Sequence, residues 1–203
     1  MTEPSTYLLE PAYTPRRSFA GPWTLISLSA AVLGLLLVAA APVLGGTAYG
    51  WVVVAVTAVR SARLAVVDER THTLPNRLTG ALAVFGIIQA IGISAWRHDA
   101  APLVIAGVTA GILASLYALL ALTKSGGFGD IKFAGALALT IAPYAGLFTL
   151  YLLPIAFVIS AVRIMARRVR GRAAKHPHGP SLAIAGIVLL VGSMLAGPAL
   201  ILA

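Results

Sequence analysis

The sequence predicts an all-α protein, a polytopic membrane helical bundle of about seven transmembrane helices (six to eight). Of the 203 residues, 59% are hydrophobic and only 10% are charged, whereas soluble domains are about 45–50% apolar and about 25% charged. Apolar runs of roughly 20 residues, the length that crosses a bilayer, recur along the chain. These runs leave no room for a soluble domain of ordinary size. We therefore expect a cytoplasmic tail over residues 1–21 and a single membrane-embedded domain over residues 22–203.

The first four spans are separated by polar or glycine-containing turns. The first apolar run is longer than the roughly 7–15 residues of a signal peptide, so we expect a retained helix. The second span ends close to two arginines, whose long side chains can reach the membrane interface. The predicted spans cover residues 22–41, 47–67, 78–95 and 101–122.

The apolar run from Ile131 to Ala166 is too long for one helix. Pro143, with Gly146 close behind, is the predicted break. The fifth helix would then be only about 18 Å long, against a hydrocarbon core of about 30 Å. The fifth helix is therefore expected to be short or to begin inside the membrane, and either option would draw Asp130 below the lipid headgroups. A basic segment follows the sixth span, and the last helix is expected over residues 181–202.

The basic residues predict the orientation. With seven spans and a cytoplasmic N-terminus, Arg97 alone among the 15 lysines and arginines lies outside, as the positive-inside rule requires. We therefore expect Asp68 and Asp130 on the cytoplasmic face of the membrane. The basic residues are not interleaved with aromatics on a soluble face, so the net charge of +9 does not indicate a nucleic-acid partner.

The chain has only six acidic residues, and three of them lie at helix ends on the inner face. A charged side chain within a bilayer costs at least about 2.5–3.5 kcal/mol, so such residues are usually functional. Two purely structural roles are alternatives to this interpretation. Asp130 could be a helix N-cap. Asp68 and Glu69 could be interfacial charges, balanced by Arg63, Arg70 and Arg77.

The histidines and glycines give weaker signals. His72 could share a helix face with Asp68 and bind a metal, but the Thr-Leu-Pro that follows argues against a long helix there. His176 and His178 flank a proline in a basic loop, and we expect them to be solvated. The glycine-rich loop before Asp130 lacks the lysine and hydroxyl pair of a phosphate-binding P-loop. Without cysteine, the chain has no thiolate metal site and no cysteine nucleophile.

Both aspartates lie at predicted helix ends, close to glycine or proline residues that interrupt helices. This combination favours a functional pair. Gly127 and Gly129 have no Cβ, so another backbone could pass close to Asp130. At about 4 Å two carboxylates repel each other by about 4 kcal/mol at an effective dielectric near 20. Such repulsion would hold one proton on the pair. One carboxylate could then activate a water while the other polarises a substrate carbonyl. This chemistry needs no metal and no cofactor.

At these residues the chain resembles the type IV prepilin peptidases, membrane-embedded aspartic proteases also called leader peptidases. Their first motif, an aspartate followed by Pro-Asn and then Leu-Thr, is found at Asp68, Pro75, Asn76, Leu78 and Thr79. Their second, G-x-G-D-x-K, is found at Gly127, Gly129, Asp130 and Lys132. A weaker third, P-F-G-P, is found at Pro177, His178, Gly179 and Pro180, with histidine in place of phenylalanine.

The resemblance implies that Asp68 and Asp130 are the catalytic pair. They would cleave after a glycine, where the basic leader of a prepilin-like or pseudopilin precursor meets its hydrophobic helix. The resemblance also implies a bacterial inner (plasma) membrane protein, whose partners are this substrate and membrane lipid. Larger family members carry a Cys-x-x-Cys zinc insert and also N-methylate the product. This chain lacks both cysteine and room for that insert, so we do not expect methyltransferase activity. The supporting, loop-shaping residues implied are Pro75, Asn76, Gly127, Gly129, Lys132, Gly179 and Pro180.

Two further functions remain open from the sequence. A proton-coupled carrier could use Asp68 and Asp130 as relay groups, although carriers usually hold acids near the bilayer midplane and contain repeated broken helices. Here the acids lie at span ends and no internal repeat is present. The other is a non-enzymatic assembly subunit of a secretion or pilus system.

Overall fold

The computed structural model describes residues 21–123, 127–171 and 177–197, with side chains from residue 25 onward. Within these ranges every regular element is helical, so the predicted all-α class is confirmed. The predicted tail, Lys124 to Gly126, His176 and the end of the predicted last helix lie outside them. The helices are α1 (Gly21–Thr71), α2 (Asn76–Arg97), α3 (Ala101–Leu122), α4 (Phe128–Ala145), α5 (Leu152–Val169) and α6 (Gly179–Ala196), with a 3₁₀ helix, Gly146–Tyr151, between α4 and α5.

Five stretches of the described chain are long and apolar enough to cross a membrane, which makes this a multi-pass membrane protein. Two of them, Leu25–Thr71 and Phe128–Val169, have 47 and 42 residues, about twice what one crossing needs. Each has an internal break. In the first, Gly45 adopts φ 75° and ψ 156°, a conformation that glycine reaches readily because it lacks Cβ. In the second, the 3₁₀ helix separates α4 from α5.

The predicted break at Pro143 is wrong by three residues. Pro143 lies inside α4, and the helix ends at Ala145 because Gly146 turns the chain with φ 56° and ψ −139°. A proline so near a helix end removes one of the last backbone hydrogen bonds without interrupting a long ladder. The helix therefore has 18 residues and a length of about 27 Å, so it is not the short helix that the sequence suggested.

Helix α4 is the central helix of the bundle. It packs against α2, α3 and α6, and most of its residues are buried, as expected for a helix that is apolar on all sides. Small residues allow the close approach. A Cβ on Gly86 of α2 would lie 2.6 Å from Thr140 Oγ1 and 2.8 Å from Thr140 N of α4. Glycine at such contacts is typical of helix packing in membranes.

We expect Gly86→Ala to destabilise the protein by about 1–3 kcal/mol, because the new methyl group meets the α4 backbone and the two helices must separate. The matched control is Gly80→Ala in the same helix, where an added Cβ meets nothing within 4 Å. That change should be neutral or stabilise by up to about 1 kcal/mol through helix propensity. Unfolding in detergent measures both, and equal stabilities for the two variants would contradict the packing described here.

Candidate active site

Helix ends from all parts of the chain meet at one end of the bundle, which we call the site end. It consists of the last turn of α1, the first turns of α2, α4 and α6, and the C-terminal halves of α3 and α5. Both aspartates lie here and both are buried, with Asp68 6% exposed and Asp130 8% exposed. Helix α1 runs four residues beyond the predicted end, so Asp68 lies within its final turn. His72 ends the helix with φ 51° and donates its amide to Asp68 O at 2.8 Å.

The Asp68 carboxylate is fixed by the start of α6. The Gly179 backbone N–H donates to Asp68 Oδ2 at 2.9 Å. An added Cβ on Gly179 would lie 2.6 Å from Asp68 Oδ2 and 3.0 Å from Asp68 Cγ. Only glycine therefore permits this approach of α6 to Asp68. Pro180 follows within the first turn of α6, where a proline lacks only an N–H that would have no partner within the helix.

The Asp130 carboxylate is fixed by the start of its own helix. Asp130 Oδ2 accepts a hydrogen bond from the Gly127 N–H at 3.0 Å, and Gly127 is the N-cap of α4. Asp130 is the third residue of the helix and not the N-cap itself. The capping alternative is therefore partly right, because the carboxylate does satisfy one backbone donor at the helix start.

The charge of Asp130 acts on the Asp68 carboxylate. Within the described residues, the hydrogen bonds to each carboxylate reach Oδ2 and none reaches Oδ1. Two buried carboxylates with one oxygen each held in place are a suitable arrangement for general acid–base chemistry on a water and a carbonyl. In the same described ranges, no group of three or more histidines, aspartates or glutamates could hold a metal ion.

Contacts between the two sequence motifs explain how helices distant in sequence meet here. An added Cβ on Gly129 would lie 2.9 Å from Leu74 Cβ, so the glycine lets the start of α4 pack against the turn after α1. Lys132 Nζ donates to Asn76 Oδ1 at 2.7 Å, which links α4 to the first residue of α2. Pro75 precedes that residue in an extended conformation as the N-cap of α2. Both glycines were expected to let another segment approach. This holds for Gly129, whereas an added Cβ on Gly127 would contact, among the described residues, only Asp130 and Gly129 of the same segment.

Glu69 joins α1 to α5. Its carboxylate accepts from Arg163 Nη2 at 2.7 Å and from Arg167. Arg163 also donates to Pro177 O at 3.4 Å and to Ser181 Oγ at 3.3 Å, so its guanidinium connects three helices around the site. The sequence suggested arginines close to Glu69 in the chain as partners, but the described ion pairs come from the distant α5.

His178 is not solvated, contrary to the prediction. Its Nδ1 lies 2.8 Å from Ser160 Oγ and its Nε2 lies 3.0 Å from the Tyr117 hydroxyl. The ring also packs against the rings of Tyr117 and Phe157, with centroids 5.7 and 5.2 Å away. The imidazole therefore occupies an aromatic pocket between α3 and α5. Burial lowers the pKa of His178 below its ordinary value, the nearby Asp68 raises it, and Arg163 lowers it further.

Residues 55–165 match the family model described as the type IV leader peptidase family. This range is more than half of the chain, and it contains both buried aspartates. The chain belongs to the type IV leader peptidase family. No curated protein and no solved structure matches it.

Membership makes this leader peptidase family protein a peptidase, a hydrolase whose substrate is a protein. The matched range ends before the Pro177–Pro180 turn, so the contacts of His178 and Gly179 with the aspartate region come from the structure alone. Sequence reasoning missed Tyr117, Ser160 and Arg163 as neighbours of the site. The three-residue spacing of Ser160 and Arg163 on α5 was a signal that they share a helix face.

Proposed function

We propose that the protein is an aspartic endopeptidase. It removes the basic leader from type IV prepilin-like or pseudopilin precursors at the cytoplasmic face of the membrane. Asp68 and Asp130 are its catalytic residues, and an activated water is the nucleophile. The observation that supports this proposal best is the pair of buried carboxylates at one end of the bundle, each accepting a hydrogen bond from a glycine N–H.

In the proposed reaction one carboxylate is ionised and the other carries a proton. The ionised carboxylate takes a proton from water as the water oxygen attacks the scissile carbonyl carbon, while the protonated one donates to the carbonyl oxygen. The tetrahedral intermediate then breaks its C–N bond. The carboxyl that took the proton from water passes it to the leaving amine, and the other carboxylate takes a proton from a hydroxyl of the intermediate, which restores the dyad. Water is thus added across one peptide bond, which leaves a new carboxylate and a new N-terminus.

The proposed topology has seven crossings with the N-terminus in the cytoplasm. The breaks at Gly45 and at the 3₁₀ helix let the two longest apolar stretches cross twice each. Most described basic residues then lie toward the site end, including Arg163, Arg167 and Lys132, whereas Arg97 ends α2 at the opposite end. That asymmetry supports a cytoplasmic site. The precursor's leader remains on this side, so the cut falls where leader and hydrophobic helix meet.

A synthetic peptide containing a basic leader, a glycine and a hydrophobic helix tests the proposal. Incubated with the purified protein in detergent, it should give two products whose masses place the cut after the glycine. EDTA should not change the rate, because the reaction uses no metal. A matched peptide with leucine in place of that glycine should remain intact.

The two other candidate functions give different results. A proton-coupled carrier or an assembly subunit would leave the peptide uncut. Thermal unfolding of the same sample checks that the protein is folded when no cleavage is seen. Cleavage at scattered positions, or cleavage lost on adding EDTA, would contradict an aspartic leader peptidase.

A further inference from the structure

We propose that His178 is a positioning residue for Asp68: in its uncharged form, it holds the turn from which the Gly179 N–H reaches the Asp68 carboxylate. This inference rests on the proposed function, since the positioning serves leader cleavage.

Both ring nitrogens of His178 form hydrogen bonds, and their partners lie on different helices. Nε2 meets the Tyr117 hydroxyl of α3 at 3.0 Å, and Nδ1 meets the Ser160 hydroxyl of α5 at 2.8 Å. A neutral imidazole offers one donor and one acceptor, and hydroxyl groups can take either role, so the two partners match it in either tautomer. The rings of Tyr117 and Phe157, which stack on each other and both pack against the imidazole, restrict the ring further. We call this arrangement the His178 clamp.

The His178 clamp sets the direction of the hydrogen bond to Asp68. His178 is the N-cap of α6, and its carbonyl oxygen accepts from the amides of Ser181 and Leu182 at 2.9 and 3.1 Å. The Gly179 N–H that donates to Asp68 Oδ2 belongs to the same peptide unit as this carbonyl. Because the peptide is planar, fixing the His178 side chain and carbonyl also fixes that N–H. The His178 clamp therefore acts on Asp68 through the Gly179 N–H, and the imidazole ring itself makes no hydrogen bond to Asp68.

The charges around the ring decide its ionisation state. Asp68 on α1 attracts a positive imidazolium, Arg163 on α5 repels it, and the hydroxyls of Tyr117 and Ser160 are uncharged. Burial lowers the pKa of His178 most, Asp68 raises it and Arg163 lowers it, so that the pKa remains below its ordinary value. A protonated ring would be a donor at both nitrogens and would force both hydroxyls to accept. It would also place a second positive charge beside Arg163, and the clamp would loosen.

Cleavage of the leader–helix peptide over a range of about pH 5 to 8 tests the proposal, since histidine changes charge there. In the wild type, kcat should fall as the pH falls, with a midpoint below about 6.5, the ordinary histidine value. His178→Phe keeps a ring packed against Tyr117 and Phe157 but has no nitrogen to titrate. In this variant the fall in kcat below about pH 6.5 should disappear. At pH 7.5 its kcat should be about tenfold lower than that of the wild type, because Asp68 is misplaced, and KM should be unchanged. Superimposable profiles would overturn the positioning role.

Ser160→Ala supplies a second variant that keeps the histidine. It should lower kcat several-fold, and the double variant with His178→Phe should be no slower than His178→Phe alone, because both changes break the same contact. Independent, multiplicative losses would count against a shared clamp.

Thermal unfolding without substrate separates this inference from the proposed function. A histidine whose pKa is lower in the folded state stabilises the protein fully above its unfolded value of about 6.5, and this stability is lost as the pH falls. The wild type should lose more stability than His178→Phe between about pH 7 and 5. If this difference appears but the wild type cuts no peptide, the proposed peptidase is overturned and the clamp stands. If the two unfolding profiles change equally with pH, the clamp is overturned whether or not the wild type cleaves.

Discussion

Asp68→Asn and Asp130→Asn should each abolish leader cleavage, with kcat lowered by at least about 10⁴-fold. An asparagine has the size of an aspartate but can neither take a proton from water nor donate an acidic proton to the substrate. The amide oxygen can still accept the N–H of Gly179 or Gly127, so the local backbone should be retained. The measurement is the single-turnover rate on the leader–helix peptide, with thermal unfolding to show that each variant is folded.

Asp99→Asn is the matched control. Asp99 lies in the turn before α3, at the opposite end of the bundle, where its Oδ1 accepts the Ala101 N–H at 2.9 Å. An asparagine can cap the helix in the same way, so activity and stability should both be those of the wild type. Complete processing by a folded Asp68→Asn or Asp130→Asn variant would refute the catalytic assignment.

Gly179→Ala should lower kcat by about 100-fold, the scale expected when a catalytic group moves by about 1 Å. The added methyl group would lie 2.6 Å from Asp68 Oδ2, so either the carboxylate or the start of α6 must shift. The hydrogen bond from the Gly179 N–H would be lost with that shift. Steady-state kinetics on the same peptide should show the loss in kcat and not in KM, because the substrate-binding surface is unchanged.

Gly127→Ala makes the same change beside the other aspartate. There the added Cβ would lie 3.4 Å from Asp130 Oδ2, an ordinary contact, and the Gly127 φ of −98° suits alanine. We expect a change in kcat of no more than about threefold, about the size of a surface substitution. If Gly179→Ala were as active as Gly127→Ala, the close approach of α6 to Asp68 would not matter for catalysis.

Much of the architecture could be predicted because it depends on local patterns. Apolar runs of sufficient length predict membrane helices, and the structure gives α3 the predicted bounds, Ala101–Leu122. The turn at Pro75 could also be predicted, because proline has no backbone N–H to donate to the preceding turn of a helix. That Asp68 and Asp130 lie at the same end of the bundle was predicted from the basic residues, which place both on one membrane face, and from their positions at helix ends.

The features that sequence could not supply depend on which side chains meet in space. Nothing in the order of residues says that Glu69 pairs with Arg163, which lies 94 positions away. The same holds for His178, whose neighbours in the chain are basic and polar whereas its neighbours in space are Tyr117 and Phe157. The end of α4 was misplaced for a different reason. The positive φ of Gly146, and not the missing amide of Pro143, ends the helix.

The short turn between α2 and α3 has a practical consequence for the whole molecule. It divides the chain between a half that carries Asp68 and a half that carries Asp130. Neither half alone carries both aspartates, yet the two halves are joined across the bundle by the packing of Gly86 against Thr140 and by the Lys132–Asn76 hydrogen bond. Two fragments separated at His98 and produced together should reassemble, so peptide cleavage would serve as a complementation reporter for membrane assembly.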